Sequence, residues 1–524
     1  MTTSLKRGAL ILWLVLVAGF AAAHFAHLRA DFPNHSPWIE DWAKYTDEGW
    51  YGNAAVRAHL FGHWRVPGDF NPAPAVPVWP LLEWLLFFAT GVKIEAARAL
   101  AVSFFCLDLL LGYTLLRVRV PRWAALLAVT MAVTSPFLYA FSRLAILEPM
   151  LIFFLLAALN LAVRLPRFRR PIAASAAIGV LFTLMLLTKT TGVFLLPAIA
   201  WAILTSLWPD RGKAHRCAGA AALGFVVTFG AWMAFVVQQG VLRDYNYLFF
   251  VNHYLKPKHF YWPLISLWWA FHGGLWVDRV LIPAAGIAAV VFAFAGRALW
   301  RRGEWRDPVL GASVLAVAGY ILFMTYQYHP QPRYYTVVAL FAFFVLAVAV
   351  EGLVRAGGEW RRAAGLAALS ACIVATFFNG IRMMEYVAHP EYTWVTAAQN
   401  VVRYIDEHPN GNRMLVSISG DEIDLIAHVP SLCDDFGTID LPPKLAKYRP
   451  GWWATWNDID PGTLEDLHIY YSLEQVATFR AFDHSERDAL VLFKLHPLPG
   501  GQMRELRPEL RDVMPGDKIY IDVE

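Results

Sequence analysis

The sequence predicts a multi-span α-helical membrane protein with about eleven transmembrane helices, followed by a C-terminal soluble α/β domain. Three observations carry this. Of 524 residues, 57% are hydrophobic and only 16% charged, with a mean hydropathy of +0.43, which is more apolar surface than a water-soluble core buries. Apolar runs of membrane-crossing length recur, separated by clusters of Lys and Arg. From about residue 381 the composition changes to that of a soluble domain.

The helices follow from length. At about 1.5 Å rise per residue, a hydrocarbon core about 30 Å thick takes about 20 apolar residues to cross. Runs at 8–28, 97–116, 123–141, 147–163, 172–187, 193–207, 218–237, 280–295, 309–326, 335–353 and 363–378 qualify, some of them short. Their connections carry basic groups in alternation: Lys6 and Arg7; Arg117, Arg119 and Arg122; Arg164, Arg167, Arg169 and Arg170; Arg211, Lys213 and Arg216; Arg297, Arg301, Arg302 and Arg306; Arg355, Arg361 and Arg362. The positive-inside rule makes these cytoplasmic, with the N-terminus. The first loop, the turns near 142–148, 189 and 327–333, the 239–263 loop and everything after Gly380 then face outward from the plasma (inner) membrane.

One run, 78–89, breaks the alternation if it spans. Its Pro77, Trp79, Pro80, Glu83 and Trp84 suit a helix lying along the outer interface. The Lys6-Arg7 start and alanine-rich end of the first run also resemble a signal peptide. The run exceeds a usual h-region of about 7–15 residues, so an uncleaved first helix is expected.

The expected division is 1–380 for the membrane domain and 381–524 for an extracytoplasmic α/β domain. A polar helix at 394–407 and strands at 414–418, 475–479 and 489–495 build the latter, whose length of about 140 residues supports its own core. It contains no GxGxxG, P-loop or metal-ligand signature. The scattered net charge of +4 argues against a nucleic-acid surface. Cys106, Cys217, Cys372 and Cys433 have neither metal-ligand nor disulfide-framework spacing.

Candidate chemistry gathers at the outer face. Trp38, Glu40, Asp41, Trp42, Tyr45, Asp47, Glu48, Trp50 and Tyr51 crowd the first loop. The bland reading is interfacial anchors and solvated acids. Against it, Glu148 sits where one span ends and the next begins, and an ionisable group so near the bilayer is costly. Lys189 and Arg333 stand at outer helix ends. Each alone also reads as a snorkelling cation, whereas together they can hold a phosphate, Arg in bidentate fashion and Lys as a point charge. The 239–263 loop, with Arg243, Asp244, Tyr245, Asn246, Tyr247, Asn252, His253, Tyr254, Lys256, Lys258 and His259, reads as a substrate loop or as interfacial packing. His59 and His63 have i, i+4 metal spacing but lack a third ligand. Tyr448-Arg449-Pro450-Gly451-Trp452-Trp453 reads as a glycan-facing patch or, on the plainer view, as buried core.

The order of these residues carries a resemblance. An acidic pair at Asp47 and Glu48, then Pro77-Val78-Trp79-Pro80 and Ala96-Ala97-Arg98-Ala99-Leu100, then Ser142-Arg143 with Glu148, then Lys189 and Arg333, resembles the GT-C glycosyltransferases of the protein mannosyltransferase and aminoarabinose transferase superfamily, over roughly the first 350 residues. The resemblance implies a GT-C fold and inverting transfer of a sugar, hexosyl or pentosyl, from a polyprenyl-phosphate carrier to an extracytoplasmic lipid, polysaccharide or protein. It makes Asp47 the general base, Glu48 its neighbour in the catalytic pair, and Glu148 the second acidic position, which is more commonly Asp in the family. That departure leaves open whether Glu148 orients the acceptor or assists a divalent metal, so no cofactor is assigned. Arg143, Lys189, Arg333, Tyr334 and Tyr51 become substrate-binding. Lipopolysaccharide modification and protein mannosylation both fit. The alternatives are a secondary transporter with an accessory outer domain, which charges at the bilayer midplane and related halves would favour, and an assembly subunit with a degenerate site.

Overall fold

The computed structural model describes residues 3–33, 41–208, 210–251, 261, 264–266, 284–288, 290–291, 306–327, 331–355, 358–434, 441–482, 487–499 and 519–520. In chain order the first helices are α1 (Thr3–Ala23), α2 (Asp47–Phe61), α3 (Val78–Thr90), α4 (Ile94–Leu116), α5 (Arg122–Val133) and α6 (Pro136–Ser142). Then come α7 (Glu148–Ala162), α8 (Pro171–Leu186), α9 (Leu196–Ser206), α10 (Arg211–Gln238) and the short α11 (Leu242–Asn246). After them follow α12 (Pro308–Gln327), α13 (Tyr335–Arg355), α14 (Glu359–Ala388), α15 (Thr393–Glu407), α16 (Gly420–Ala427), α17 (Leu441–Tyr448) and α18 (Pro461–His468).

Two compact units result, and they interleave along the chain. One comprises Met1–His27, Ala99–Leu242 and His253–His389; the other comprises Leu28–Arg98, Arg243–Asn252 and Pro390–Glu524. A single boundary at 380/381 was expected. The first loop instead folds with the C-terminal segment, because its buried polar groups find their partners there.

The first unit is the helical one. Among the described residues, five helices are long and apolar enough to cross a membrane, six if the bent α5–α6 pair counts as one span, and shorter apolar helices accompany them. Ten of the eleven expected runs coincide with these helices; the run at 280–295 lies largely outside the described residues. The 123–141 run bends by 64° between α5 and α6. Ser135 leaves the helical region (ψ 120°), its Oγ accepts from the Leu138 N–H, and Pro136 opens the next helix, as the residue before a proline must do. Packing ranks the helices. The α13 segment is 94% buried in its apolar window, whereas that of α10 is 6% buried, so α13 is the core of the unit and α10 one of its outer helices.

The second unit is a mixed sheet with helices on both faces. Its strands are β1 (Leu415–Val416), β2 (Ser431–Leu432), β3 (Trp452–Trp456), β4 (Asp458–Ile459), β5 (Tyr471–Arg480), β6 (Ala489–Pro497) and β7 (Ile519–Tyr520). The main sheet runs β2-β1-β3-β6-β5, with β4 pairing β7 apart. Strands β2, β1 and β3 are parallel (Leu415 opposite Ser431 and Trp452), whereas β6 is antiparallel to β3 (Ala454 opposite Leu492) and to β5. Two-residue alternation splits the core. Trp452, Ala454, Trp456, Leu490 and Leu492 pack with α15, and Trp453, Val491, Phe493 and Leu495 pack with α17 and α18.

Candidate active site

Within the helical unit, three loop ends assemble a charged cluster. Glu148 opens α7, where the helix dipole favours a carboxylate and Pro149 sacrifices no needed N–H. Lys189, in extended backbone, heads a 3-10 turn, Thr190–Leu195. Its Nζ donates to Glu148 Oε1 at 2.6 Å, with the lysine side chain 6% exposed and the glutamate fully buried. A second 3-10 turn, Pro332–Tyr334, brings up Arg333 and Tyr334, both buried. The Lys189 ammonium lies 4.9 Å from the Tyr334 ring centroid, and the Arg333 guanidinium lies 4.9 Å from the same ring. Two cations thus share the Tyr334 ring, and one of them is paired with the Glu148 carboxylate. From α12, Tyr320 OH shares a 3.0 Å hydrogen bond with Thr191, and Phe323 meets Tyr334 edge-on at 4.9 Å. Sequence reasoning missed Tyr320, whose only signal is a phenol inside an apolar run.

Arg143 takes a different place. Its guanidinium donates to the carbonyls of Ala26 (2.7 Å) and His27 (2.5 Å) and lies 4.7 Å over the Tyr139 ring.

Within the second unit, Asp47 begins α2 at 8% exposure, and its Oδ1 accepts from Thr46 Oγ1 at 3.3 Å. Glu48, fully buried, takes the Arg98 fork at 2.7 and 2.6 Å, while Arg98 Nη1 donates to the carbonyls of Leu28 (2.9 Å) and Ala30 (2.5 Å). Both Glu48 oxygens are therefore held as acceptors for a bidentate cation. Tyr51 meets Trp50 edge-on at 4.9 Å, and Trp50 stacks on Phe70.

The C-terminal segment clamps α2. Asn53 and Arg57 donate to the two oxygens of Asp421 at 3.1 and 3.0 Å, and Arg57 also reaches Asp69 at 2.8 Å, which in turn holds Lys444 at 2.8 Å. The helices touch because position 49 is glycine: a Cβ there would stand 2.2 Å from the Asp421 backbone. Gly52 likewise admits the Glu83 carboxylate of α3, 2.1 Å from where its Cβ would be. Glu422 accepts from Trp394 Nε1 at 2.7 Å. Burial, then the Glu48 charge, pushes the Glu422 carboxyl well up. Asp31 closes the ring of contacts by accepting from the backbone N–H groups of Trp394 (2.8 Å) and Val395 (3.2 Å) and the hydroxyl of Thr393 (2.9 Å).

The predicted site residues thus fall into two groups: Glu148, Lys189, Arg333 and Tyr334 meet in the first unit, and Asp47, Glu48 and Tyr51 share one helix in the second. Glu40, Trp38 and the Asn252, His253, Tyr254, Lys256, Lys258 and His259 stretch lie outside the described residues. His59 Nε2 donates to the Trp84 carbonyl (2.9 Å) and the ring packs on Phe88, and His63 faces Phe61. Trp452 and Trp453 are core, while Tyr448 reaches the surface. Among the described residues no three His, Cys, Asp or Glu side chains are grouped to hold a metal ion.

The model of the dolichyl-phosphate-mannose-protein mannosyltransferase family matches residues 81–242, less than half of the chain. No curated protein matches. Among solved structures the chain is similar to ArnT from Cupriavidus metallidurans bound to undecaprenyl phosphate, at 13% identity and TM-score 0.59 over 93% of this chain and 98% of that one. It is also similar to the oligosaccharyltransferase of Archaeoglobus fulgidus tethered with an acceptor peptide, at 13% identity and TM-score 0.52 over 88% and 72%. At such identities the likeness is one of fold, and that fold is the GT-C fold of membrane glycosyltransferases. The family match lies within the stretch that carries this likeness.

Proposed function

We propose that the protein is an inverting membrane glycosyltransferase that moves a sugar from a polyprenyl-phosphate carrier to a hydroxyl of a lipid, polysaccharide or protein on the extracytoplasmic side. The observation that carries the reading is the Lys189–Glu148 pair beside Arg333 on the Tyr334 ring. A departing lipid phosphate needs fixed cations, and charges already oriented in a dry site stabilise it without reorganisation. Lys189 brings a point charge and Arg333 a planar guanidinium, the two kinds of cation that bind phosphate oxygens. The family match to a mannosyltransferase that uses dolichyl-phosphate-mannose, and the fold shared with a protein that binds undecaprenyl phosphate, support the same donor chemistry.

Asp47 is the proposed base. Glu48 is committed to Arg98, so it positions α2 instead of taking the proton. Asp47, in the first turn of α2, would accept the acceptor hydroxyl proton as the anomeric carbon becomes oxocarbenium-like. Tyr51 follows one turn later on the same helix, where it would line the acceptor path, and Arg143 would hold the end of the first span. No step uses a metal. The basic clusters support an N-terminus in the cytoplasm.

Purified wild type and Asp47→Asn are compared for release of polyprenyl phosphate from a panel of labelled lipid-linked hexoses and pentoses. We expect wild-type turnover of at least one donor and a loss of about 100-fold or more in the variant. Equal turnover by both proteins would remove Asp47 from the reaction; solute flux through wild-type liposomes without donor turnover would install the transporter reading.

A further inference from the structure

The second unit holds a cavity of about 540 Å³ at the far end of α2, which the proposed reaction leaves unused. Arg57, His63, Trp64, Arg65, Lys447 and Tyr448 line it. Its volume lies in the range of ligand-sized sites. Its chemistry is unusual for a surface hollow in two ways.

Charge is the first. At its base Arg57 is 1% exposed; its Nη2 serves Asp69 and Asp421, yet its Nη1, also buried, has no hydrogen-bond partner among the described residues. A buried guanidinium beside the cavity adds positive charge to its floor that bulk water does not screen. At its rim Arg65 makes no hydrogen bond among the described residues and lies 5.4 Å over Trp64, while Lys447 gives one donor to the Pro67 carbonyl at 3.3 Å and keeps two. Asp69 and Asp421 are balanced by Arg57 and Lys444. Asp244 lies near enough to Arg65 to feel its charge. The rim nonetheless carries two exposed cations and a histidine.

Flat aromatic surface is the second. Trp64 is 37% exposed, and the Tyr448 ring, with Lys447 at 4.9 Å from its centroid, reaches the same hollow. Ring faces that stack on sugars, flanked by cations and a buried guanidinium, select an anionic saccharide over a neutral one.

We infer that this cavity binds an acidic sugar of the acceptor glycan, carboxylated or phosphorylated, and so sets acceptor choice at a distance from the reacting hydroxyl. Arg57 stands ten residues after Asp47 on α2, about 15 Å along the helix, a spacing a short oligosaccharide covers. The inference rests on the glycosyltransferase reading for its purpose, but not for its measurement.

Full-length protein in detergent is titrated calorimetrically with a glucuronate-terminated disaccharide and with maltose. The acidic probe is expected to bind saturably and maltose at least tenfold more weakly. The exposed double variant Arg65→Ala/Lys447→Ala should weaken the acidic probe about tenfold with an unchanged melting temperature. Asp47→Asn should bind it like the wild type, so a failed base assignment leaves this result intact. Equal affinity for the two probes, or undiminished binding by the double variant, overturns the inference. So does retention on phosphatidylglycerol vesicles that the double variant loses while the acidic sugar fails to bind, since the cavity then serves a lipid headgroup.

Discussion

Asp47 and Glu48 stand side by side in the sequence, yet different roles are proposed for them. Glu48 is spoken for by Arg98 at 2.6–2.7 Å, which turns an apparent acidic pair into one candidate base and one anchor. Sequence order made both residues visible, along with Glu148, Lys189 and Arg333, because charges are rare near apolar runs. It did not reveal Asp421, Glu422 or Asp31, which sit in ordinary polar stretches and gain meaning only through burial. Asp31 offers a test. Burial pushes its carboxyl up to about 6 even though its hydrogen bonds to Trp394, Thr393 and Val395 pull it down. The folded state therefore holds this proton more tightly than the unfolded chain, whose value is 3.8. Its contribution to stability is fully present below about 4 and is lost as pH rises to about 6, a change on the order of 3 kcal/mol. Hydrogen exchange of α15 amides should show protection falling across that window in the wild type and a flatter profile in Asp31→Asn. Parallel profiles would assign the fall to other groups.

At the scale of elements, helix contacts are set by where side chains are missing. A Cβ on Gly179 of α8 would stand 2.0 Å from the Ala221 carbonyl, and one on Gly224 of α10 would stand 2.3 Å from the Ala176 carbonyl. One turn away, the Thr183 and Thr228 hydroxyls hydrogen-bond at 2.7 Å. Small residues and a shared hydroxyl are what hold helices together where lipid removes the hydrophobic drive. Gly179→Val should separate the pair and cost about 1–3 kcal/mol or more, lowering the melting temperature in detergent by several degrees. Gly219→Val, on the same α10 with open space around it, should not; similar melting of the two variants would mean that this crossing does not govern stability. The apolar runs made these helices legible. The α5–α6 bend and the 3-10 turns at 190 and 332 were not, since hydropathy records how greasy a stretch is and not where its backbone turns.

For the whole molecule, sequence reading located both kinds of fold and drew a linear boundary between them. The interleaved boundary was hidden because it depends on pairs such as Arg57 with Asp421 and Asp69 with Lys444, each more than 360 positions apart. Breaking a buried pair by deleting one partner typically costs about 3–5 kcal/mol. A chain ending at His389 should therefore lose the fold of 28–98. Trypsin should cut it at Arg57, Arg65 and Arg98 under conditions that spare those sites in the full chain, with helical content of the apolar helices retained. An unchanged digest would show that the loop is stable alone.

Asp31 waits for a helix that begins 362 residues later. At roughly 5–20 residues per second of synthesis, the first loop emerges tens of seconds before the ribosome finishes its cap and clamps. A half-made chain thus lacks the partners of its own first loop, and the fold of 28–98 waits for the segment that begins at Pro390.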